Sequence, residues 1–415
     1  MNSFFYQILR KASDMIYSDE FRKRNIINRK SFVRNRKLTF PIVVSMILNM
    51  MTKTTQIEVD NFFETVLENE KSVTKQAFFK ARKNISPKAF KELFCMTNDM
   101  IIQKNKIRRY KGYRIFAVDG SELRIEKNKS TKKYFRQRAN SAENKTSARI
   151  SVLYDVISDF VLDAQIGSLE TDEREMAVSN ISCFSGFFNS KDIVVFDRGY
   201  PSRKMISFMT EMNCKYLMRL QGSCFRGVKE NSGNDFRITI THNDKTYSVR
   251  IVRVVLKSGE VETLITNLSE NELNTDKFRE LYFLRWGIET AFDTLKNKFL
   301  IEKFSGKSLI SVFQEYYSIM FLINCMSAMK LTVDRKLKKS KNHCRYIYEG
   351  NRSLIIGCFK HKISAIILYP HKQIELCQKL ILLYTRQPVP VIPDRFFQRP
   401  LFSHQRKVFS PKFSI

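Results

Sequence analysis

Several things are scarce in these 415 residues. There is one tryptophan, and there are only five histidines, none with a metal-ligating partner at a useful spacing. The eight cysteines (Cys95, Cys183, Cys214, Cys224, Cys325, Cys344, Cys358, Cys377) are scattered, with no Cys-x-x-Cys pair. That argues against a zinc site and for reduced core thiols in a cytoplasmic protein. No apolar run reaches the ~18–20 residues needed to span a bilayer. The longest, Phe40 to Met51 and Tyr316 to Met329, read as core helices. The first residues lack the charged, apolar, small-residue order of a secretory signal. There is no Walker-type loop and no internal repeat. Acid is in short supply too: 41 Asp and Glu face 72 Lys and Arg, a formal net charge of +31. Such a surplus repels itself and calls for a polyanionic partner, nucleic acid before an anionic membrane. The bases are spread over most segments, which suits a long phosphate track. Hydrophobic residues make up 43%, enough for a folded chain with one large core or two to three smaller ones.

Residues 1–104 read as an α-helical N-terminal region. Ser72-Val73-Thr74 supplies a cap for a helix from Lys75, and Ser86-Pro87 starts another. Two short helices joined by a tight turn, with Lys75, Gln76, Lys80, Arg82 and Lys83 available outward, suggest a helix-turn-helix DNA-binding module. A helical cap with a solvated basic face is the alternative. After a basic linker, Arg114 to Gly120 (RIFAVDG) reads as a buried strand that ends in Asp119 and a turn. Two hairpin strands follow, Ala148 to Val156 and Phe160 to Gly167. Then Asp192 to Gly199 (DIVVFDRG) repeats the pattern and delivers Asp197. In open α/β sheets, sites form at such strand ends. Residues 209–270 look β-rich and read as an insertion. From Lys330 onward bases far outnumber acids, as in a phosphate-facing or solvated arm, and the proline-containing end from Arg386 reads as an irregular tail.

Leu281 to Phe299 organises the rest. Leu284, Ile288, Ala291, Leu295 and Phe299 fall on one face of a helix. Tyr282, Arg285, Glu289 and Lys296 lie within roughly 60° of one another beside it. A surface Arg–Glu pair on a helix is worth only ~0.3–0.5 kcal/mol and needs no function. The company of Asp119 and Asp197 changes that balance. Three gathered carboxylates repel one another unless cations neutralise them. Two hard divalent cations, Mg²⁺ or Mn²⁺, about 4 Å apart can drive an in-line phosphoryl transfer. Asp119 would bridge both, Asp197 and Glu289 would each hold one, and Arg285, Lys296 and Tyr282 would meet phosphates. With this much positive charge, the phosphodiester is DNA or RNA. A glycosidase using paired carboxylates would not need the basic surplus.

Tyr282-x2-Arg285-x3-Glu289-x6-Lys296 resembles, with the same spacing, the Tyr-Arg-Glu-Lys signature of bacterial insertion-sequence transposases of the DDE class. Asp119 in AVDGS and Asp197 in VVFDRGY resemble that family's first and second catalytic Asp, and AFFKARKNISPKAF its N-terminal region. The likeness spans about Ser72 to Ser318. It implies an α/β, ribonuclease-H-like catalytic core (105–208 and 271–330) interrupted by the β-rich insertion, with the α-helical N-terminal domain in front. The reaction it implies is hydrolytic nicking at the element's ends, then transesterification by the freed 3′-hydroxyl. Some members make a DNA hairpin and stack a flipped base on an aromatic of the insertion. Here the lone Trp286 sits in the signature itself, so that role falls to a residue such as Tyr216 or Phe225. The resemblance also implies double-stranded DNA partners (terminal inverted repeats and target), a homodimer built through residues 331–415, and a cytoplasmic, nucleoid-associated place of work. Two alternatives stay open: a metal-dependent DNA nuclease, and a catalytically inactive DNA-binding relic.

Overall fold

The computed structural model describes residues 3–34, 36–49, 53–69, 71–135, 145–221, 225–256, 259–340, 344–359 and 361–392. Arg136, Arg138, Cys224 and the tail from 393 lie outside them, as does the side chain of Cys358. The N-terminal quarter forms six helices: α1 (Phe4–Tyr17), α2 (Asp19–Asn25), α3 (Phe40–Leu48), α4 (Thr55–Thr65), α5 (Lys75–Arg82) and α6 (Lys88–Gln103). Ser3, Ser18 and Thr74 cap α1, α2 and α5 through their hydroxyls.

The strands and helices that follow are β1 (Arg114–Glu126), α7 (Lys129–Phe135), β2 (Lys145–Asp155), β3 (Phe160–Ser168), α8 (Glu173–Ser182), β4 (Asp192–Phe196), α9 (Arg203–Glu211), β5 (Lys215–Arg219), α10 (Arg226–Lys229), β6 (Asp235–His242), β7 (Lys245–Val255) and β8 (Val261–Thr266). All eight strands join one mixed sheet, ordered β3-β2-β1-β4-β5-β8-β7-β6. β1, β4 and β5 are parallel neighbours and the other pairings are antiparallel. Side chains alternate between two apolar layers. Ile193, Val195 and Leu217 enter one, and Val194, Phe196 and Met218 the other. Strands buried on both faces need no polar alternation, which is why IFAV and IVVF are continuous apolar runs. β5 falls within the stretch expected as an insertion, yet it pairs in parallel with β4. β8, β7 and β6 then carry the same sheet outward from β5's free edge.

Next come α11 (Phe278–Phe283), α12 (Trp286–Asp293), α13 (Leu309–Ser340), β9 (Ile347–Gly350), α14 (Arg352–Phe359), α15 (Lys362–Leu368), α16 (Gln373–Arg386) and β10 (Pro388–Val391). α13 is long and apolar enough to cross a bilayer, but 72% of its apolar window is buried by other parts of the chain, as in a core helix. α1, α3, α6 and α16 pack along it, and α15 packs on α3. The segment expected as a solvated arm therefore does not behave as one. Ile363, Ile366, Ile367, Leu380, Ile381 and Tyr384 are buried at helical spacing among the bases. The six described cysteines are unpaired; Cys214, Cys325 and Cys377 are in the core, whereas Cys95, Cys183 and Cys344 are exposed.

Candidate active site

Asp119 and Asp197 are brought together by strand register. β1 and β4 run parallel from Arg114↔Asp192 to Ala117↔Val195. Each Asp lies two positions beyond that last rung, so the two flank one inter-strand gap of roughly 5 Å. Arg114 fixes the first rung with a buried, two-pronged pair to Asp192 (Nε–Oδ1 2.5 Å, Nη2–Oδ2 2.6 Å). Asp119 Oδ1 accepts the Gly120 N–H, and Asp197 Oδ1 accepts the Arg198 N–H.

The Leu281 to Phe299 stretch is not the single helix its periodicity suggests. α11 stops at Phe283. The chain tightens through Leu284 and Arg285, whose N–H groups bond three residues back, and α12 starts at Trp286. Thr294–Lys298 then form a π-helical turn, in which the Phe299 N–H reaches Thr294. A Cβ on Gly287 would lie 3.2 Å from Val156, so this break sits hard against the loop after β2. The expected apolar face holds: Ile288, Leu295 and Phe299 are buried, and Leu284 and Ala291 are partly so. The four-residue polar stripe is broken in phase. Tyr282 is buried and its hydroxyl lies 3.4 Å from Asp197 Oδ1. Arg285 is buried and its Nη2 donates to Glu289 Oε1 at 2.6 Å. Lys296 lies past the break, half-buried on the π turn.

The electrostatics centre on Asp119. Burial drives its carboxyl up to about 6, against the pull of the Gly120 N–H and Arg285; the Glu173 and Asp197 charges add to the rise. Burial works against the charge of Arg285, yet Tyr282, Glu289 and Asp197 hold it more basic than usual. Its buried Nε has no hydrogen-bond partner. One guanidinium thus acts on acids from three separate elements, Asp119, Asp197 and Glu289. Among the described residues no three Asp, Glu, His or Cys side chains converge closely enough to hold a metal ion as they stand, and Glu289 is turned to Arg285. The donor chemistry nevertheless fits a hard divalent cation: the atoms on offer are carboxylate oxygens, and burial has raised the Asp119 carboxyl, a shift that a nearby cation would oppose.

Sequence reasoning missed Glu173 and Tyr200. The buried Tyr200 hydroxyl donates to Glu173 Oε1 at 2.7 Å. A Cβ on Gly120 would fall 2.6 Å from that same oxygen, so any larger residue after Asp119 would have to displace the Glu173 side chain. The available signals were the acidic patch Glu170 to Glu175 and the Tyr that closes DRGY. Of the residues expected at the N-terminal DNA face, Lys75 and Lys80 are exposed on α5. Arg82 is not available to DNA. It is 1% exposed and donates to Gln314, Ser305, the Ser311 carbonyl and Glu315. α6, the second helix of the supposed helix-turn-helix, buries most of its length against α13. Tyr216 is fully buried, so it offers no face to a flipped base; Phe225 is half-buried.

Residues 110–325 match the family described as Transposase DDE domain. Among solved structures, a cryo-EM structure of piggyBac transposase in a synaptic complex with hairpin DNA is similar in fold. Its TM-score is 0.50 at 10% identity, over 93% of this chain and 87% of that one. No curated protein matches the sequence.

Proposed function

The chain belongs to the transposase DDE domain family, a DNA transposase by that membership, and on that premise we propose that Asp119, Asp197 and Glu289 are its catalytic acids in cutting and joining the ends of a bacterial insertion sequence. The reading takes β3-β2-β1-β4-β5 as a ribonuclease-H-like core. What supports it is the meeting of Asp119, Asp197 and Arg285, with its partner Glu289, just beyond the last parallel rung between the central strands β1 and β4. The three acids would hold Mg²⁺ or Mn²⁺, two ions, which when bound supply Lewis-acid stabilisation of the transferring phosphoryl group and a more acidic attacking oxygen. Tyr282 orients Asp197 through its hydroxyl. Arg285 is held by Glu289 until a phosphate competes for it, and its unpartnered Nε is a second donor for that phosphate. Lys296 adds a point charge to the same strand.

Outside the acids, Phe283 and Trp286 stand exposed on consecutive turns with rings 6.4 Å apart and nearly parallel. They offer bases a stacking surface beside the site, a role the β-rich segment's buried Tyr216 cannot fill. For a homodimer on paired ends, Ile347 and Val391 form an exposed apolar cross-strand pair on β9–β10. Ile374 and Leu382 on α16 are also exposed. The partners are double-stranded DNA, both inverted repeats and target, in the cytoplasm.

Cleavage of a duplex carrying the DNA that flanks the reading frame tests this. Wild type should nick it only with Mg²⁺ or Mn²⁺ and then join the 3′ end to a second duplex. Ala at 119, 197 or 289 should abolish both steps while DNA binding persists. Full cleavage by Glu289→Ala would contradict the assignment. Nicking without joining would favour the nuclease reading.

A further inference from the structure

α5 forms one wall of an open cleft of about 660 Å³ whose other wall is the loop Phe304 to Ser308. Lys53, Lys75 and Lys83 line the α5 side and Lys307 the loop side; all four are exposed. Hydroxyls of Thr54, Thr55 and Ser308 lie between them. Glu126, beside the cleft, pairs with Lys307 at 2.5 Å while both side chains are mostly solvated. The walls are fastened together from inside. Arg82 on α5 binds Ser305, Ser311, Gln314 and Glu315, and Gln314 Nε2 donates back to the Arg82 and Ile85 carbonyls.

The cleft abuts the far end of the strand that carries Asp119. The Arg124 N–H donates to Glu302, Glu126 meets Lys307, and Asn128 Nδ2 donates to the Lys307 carbonyl. Asp119 and Glu126 sit on one uninterrupted strand, seven residues apart. At ~3.3 Å per residue that is about 23 Å, and at ~3.4 Å per base pair it is roughly six to eight base pairs of duplex.

We propose that this cleft binds the phosphate backbone of duplex DNA at a fixed offset of roughly six to eight base pairs from the phosphate at Asp119, with the buried Arg82 network holding that offset constant. The inference rests on the reading of Asp119 as part of the cutting site. Charge complementarity identifies the occupant: four lysines and a row of hydroxyls, with one exposed acid, match a run of phosphates.

The test uses the full-length protein and a duplex from the DNA flanking its reading frame. Wild type is compared with the combined Lys53→Ala, Lys75→Ala, Lys83→Ala variant, whose exposed changes leave the Arg82 network untouched. The slope of log affinity against log salt should flatten by roughly 0.9 for each lysine that meets a phosphate. Phosphate-ethylation interference should vanish at the predicted offset and persist at the cut bond. An unchanged slope overturns the proposal, and so does interference lost evenly along the duplex. If wild type shows the slope difference and a localised interference patch but never cuts, the catalytic reading fails and the cleft stands as a DNA site. If it cuts normally and the variant's slope is unaltered, the cleft fails alone.

Discussion

Arg82 and Arg285 are both buried arginines facing a glutamate at nearly the same distance, 2.7 Å to Glu315 and 2.6 Å to Glu289. Arg82 has every nitrogen engaged, and its partners come from a segment more than 220 residues away. Arg285 leaves a buried Nε without a partner and stands among three acids, Asp119, Asp197 and Glu289. The saturated arginine joins two parts of the fold. The unsaturated one keeps a donor to spare. Burial of a charge does not by itself separate structure from chemistry; the count of its satisfied hydrogen bonds does.

The largest effect that could break this contrast is on stability. Arg82→Ala should cost about 3–5 kcal/mol in denaturant unfolding, because it strips a buried network and leaves Glu315 uncompensated. A loss below about 1 kcal/mol would place Arg82 with ordinary surface pairs. The next test concerns the acids around Arg285. The Asp119 carboxyl sits near 6 in the fold against 3.8 in the open chain, so the native state holds the extra proton between those values. Its stabilising contribution is therefore full below about pH 4 and lost as pH rises through about 6. In metal-free solution Asp119→Asn should gain on wild type across that window, by on the order of 2–3 kcal/mol above pH 6, read as unfolding free energy against pH. A gap that does not vary with pH would mean Arg285 already balances the site. The smallest effect sharpens the comparison. Arg285→Gln should cost about 1 kcal/mol without metal, and added Mg²⁺ should restore it, because a cation replaces the lost charge. Mg²⁺ should leave the Arg82→Ala deficit untouched. Restoration of both, or of neither, would erase the distinction.

The two apolar runs before Asp119 and Asp197 were legible because a doubly buried strand leaves an unbroken apolar stretch. β4 does end before Asp197, but β1 runs on through Asp119 and Gly120 to Glu126, paired with β2, where the pattern predicts a turn. That β5 to β8 extend the same sheet was not legible, because a strand's neighbours are set by pairing that the sequence pattern does not encode. The break at Leu284–Arg285 was not legible, because an even 3.6-residue period assumes the helix it is used to detect. The break lies where Gly287 comes close to Val156, distant in sequence, which no local period can report. Arg82 read as outward because its neighbours Lys80 and Lys83 are; only the approach of Gln314 and Glu315 reverses it. Glu173 escaped for the same reason, since its tie to Tyr200 spans 27 positions with no periodic signal. The C-terminal helices were masked by composition: a surplus of base hid the buried stripe of Ile363, Ile366 and Ile367.

The 32-residue helix α13 is wrapped along its length by segments from both chain ends. A gene copy that loses its first hundred codons would thus not encode a weakened enzyme with its acids intact. It would encode a core helix stripped of α1, α3 and most of α6, prone to clumping and to clearance by proteases. Decay of such an element by truncation would silence it in one step, whereas point changes at the acids would leave a folded protein still able to occupy its DNA.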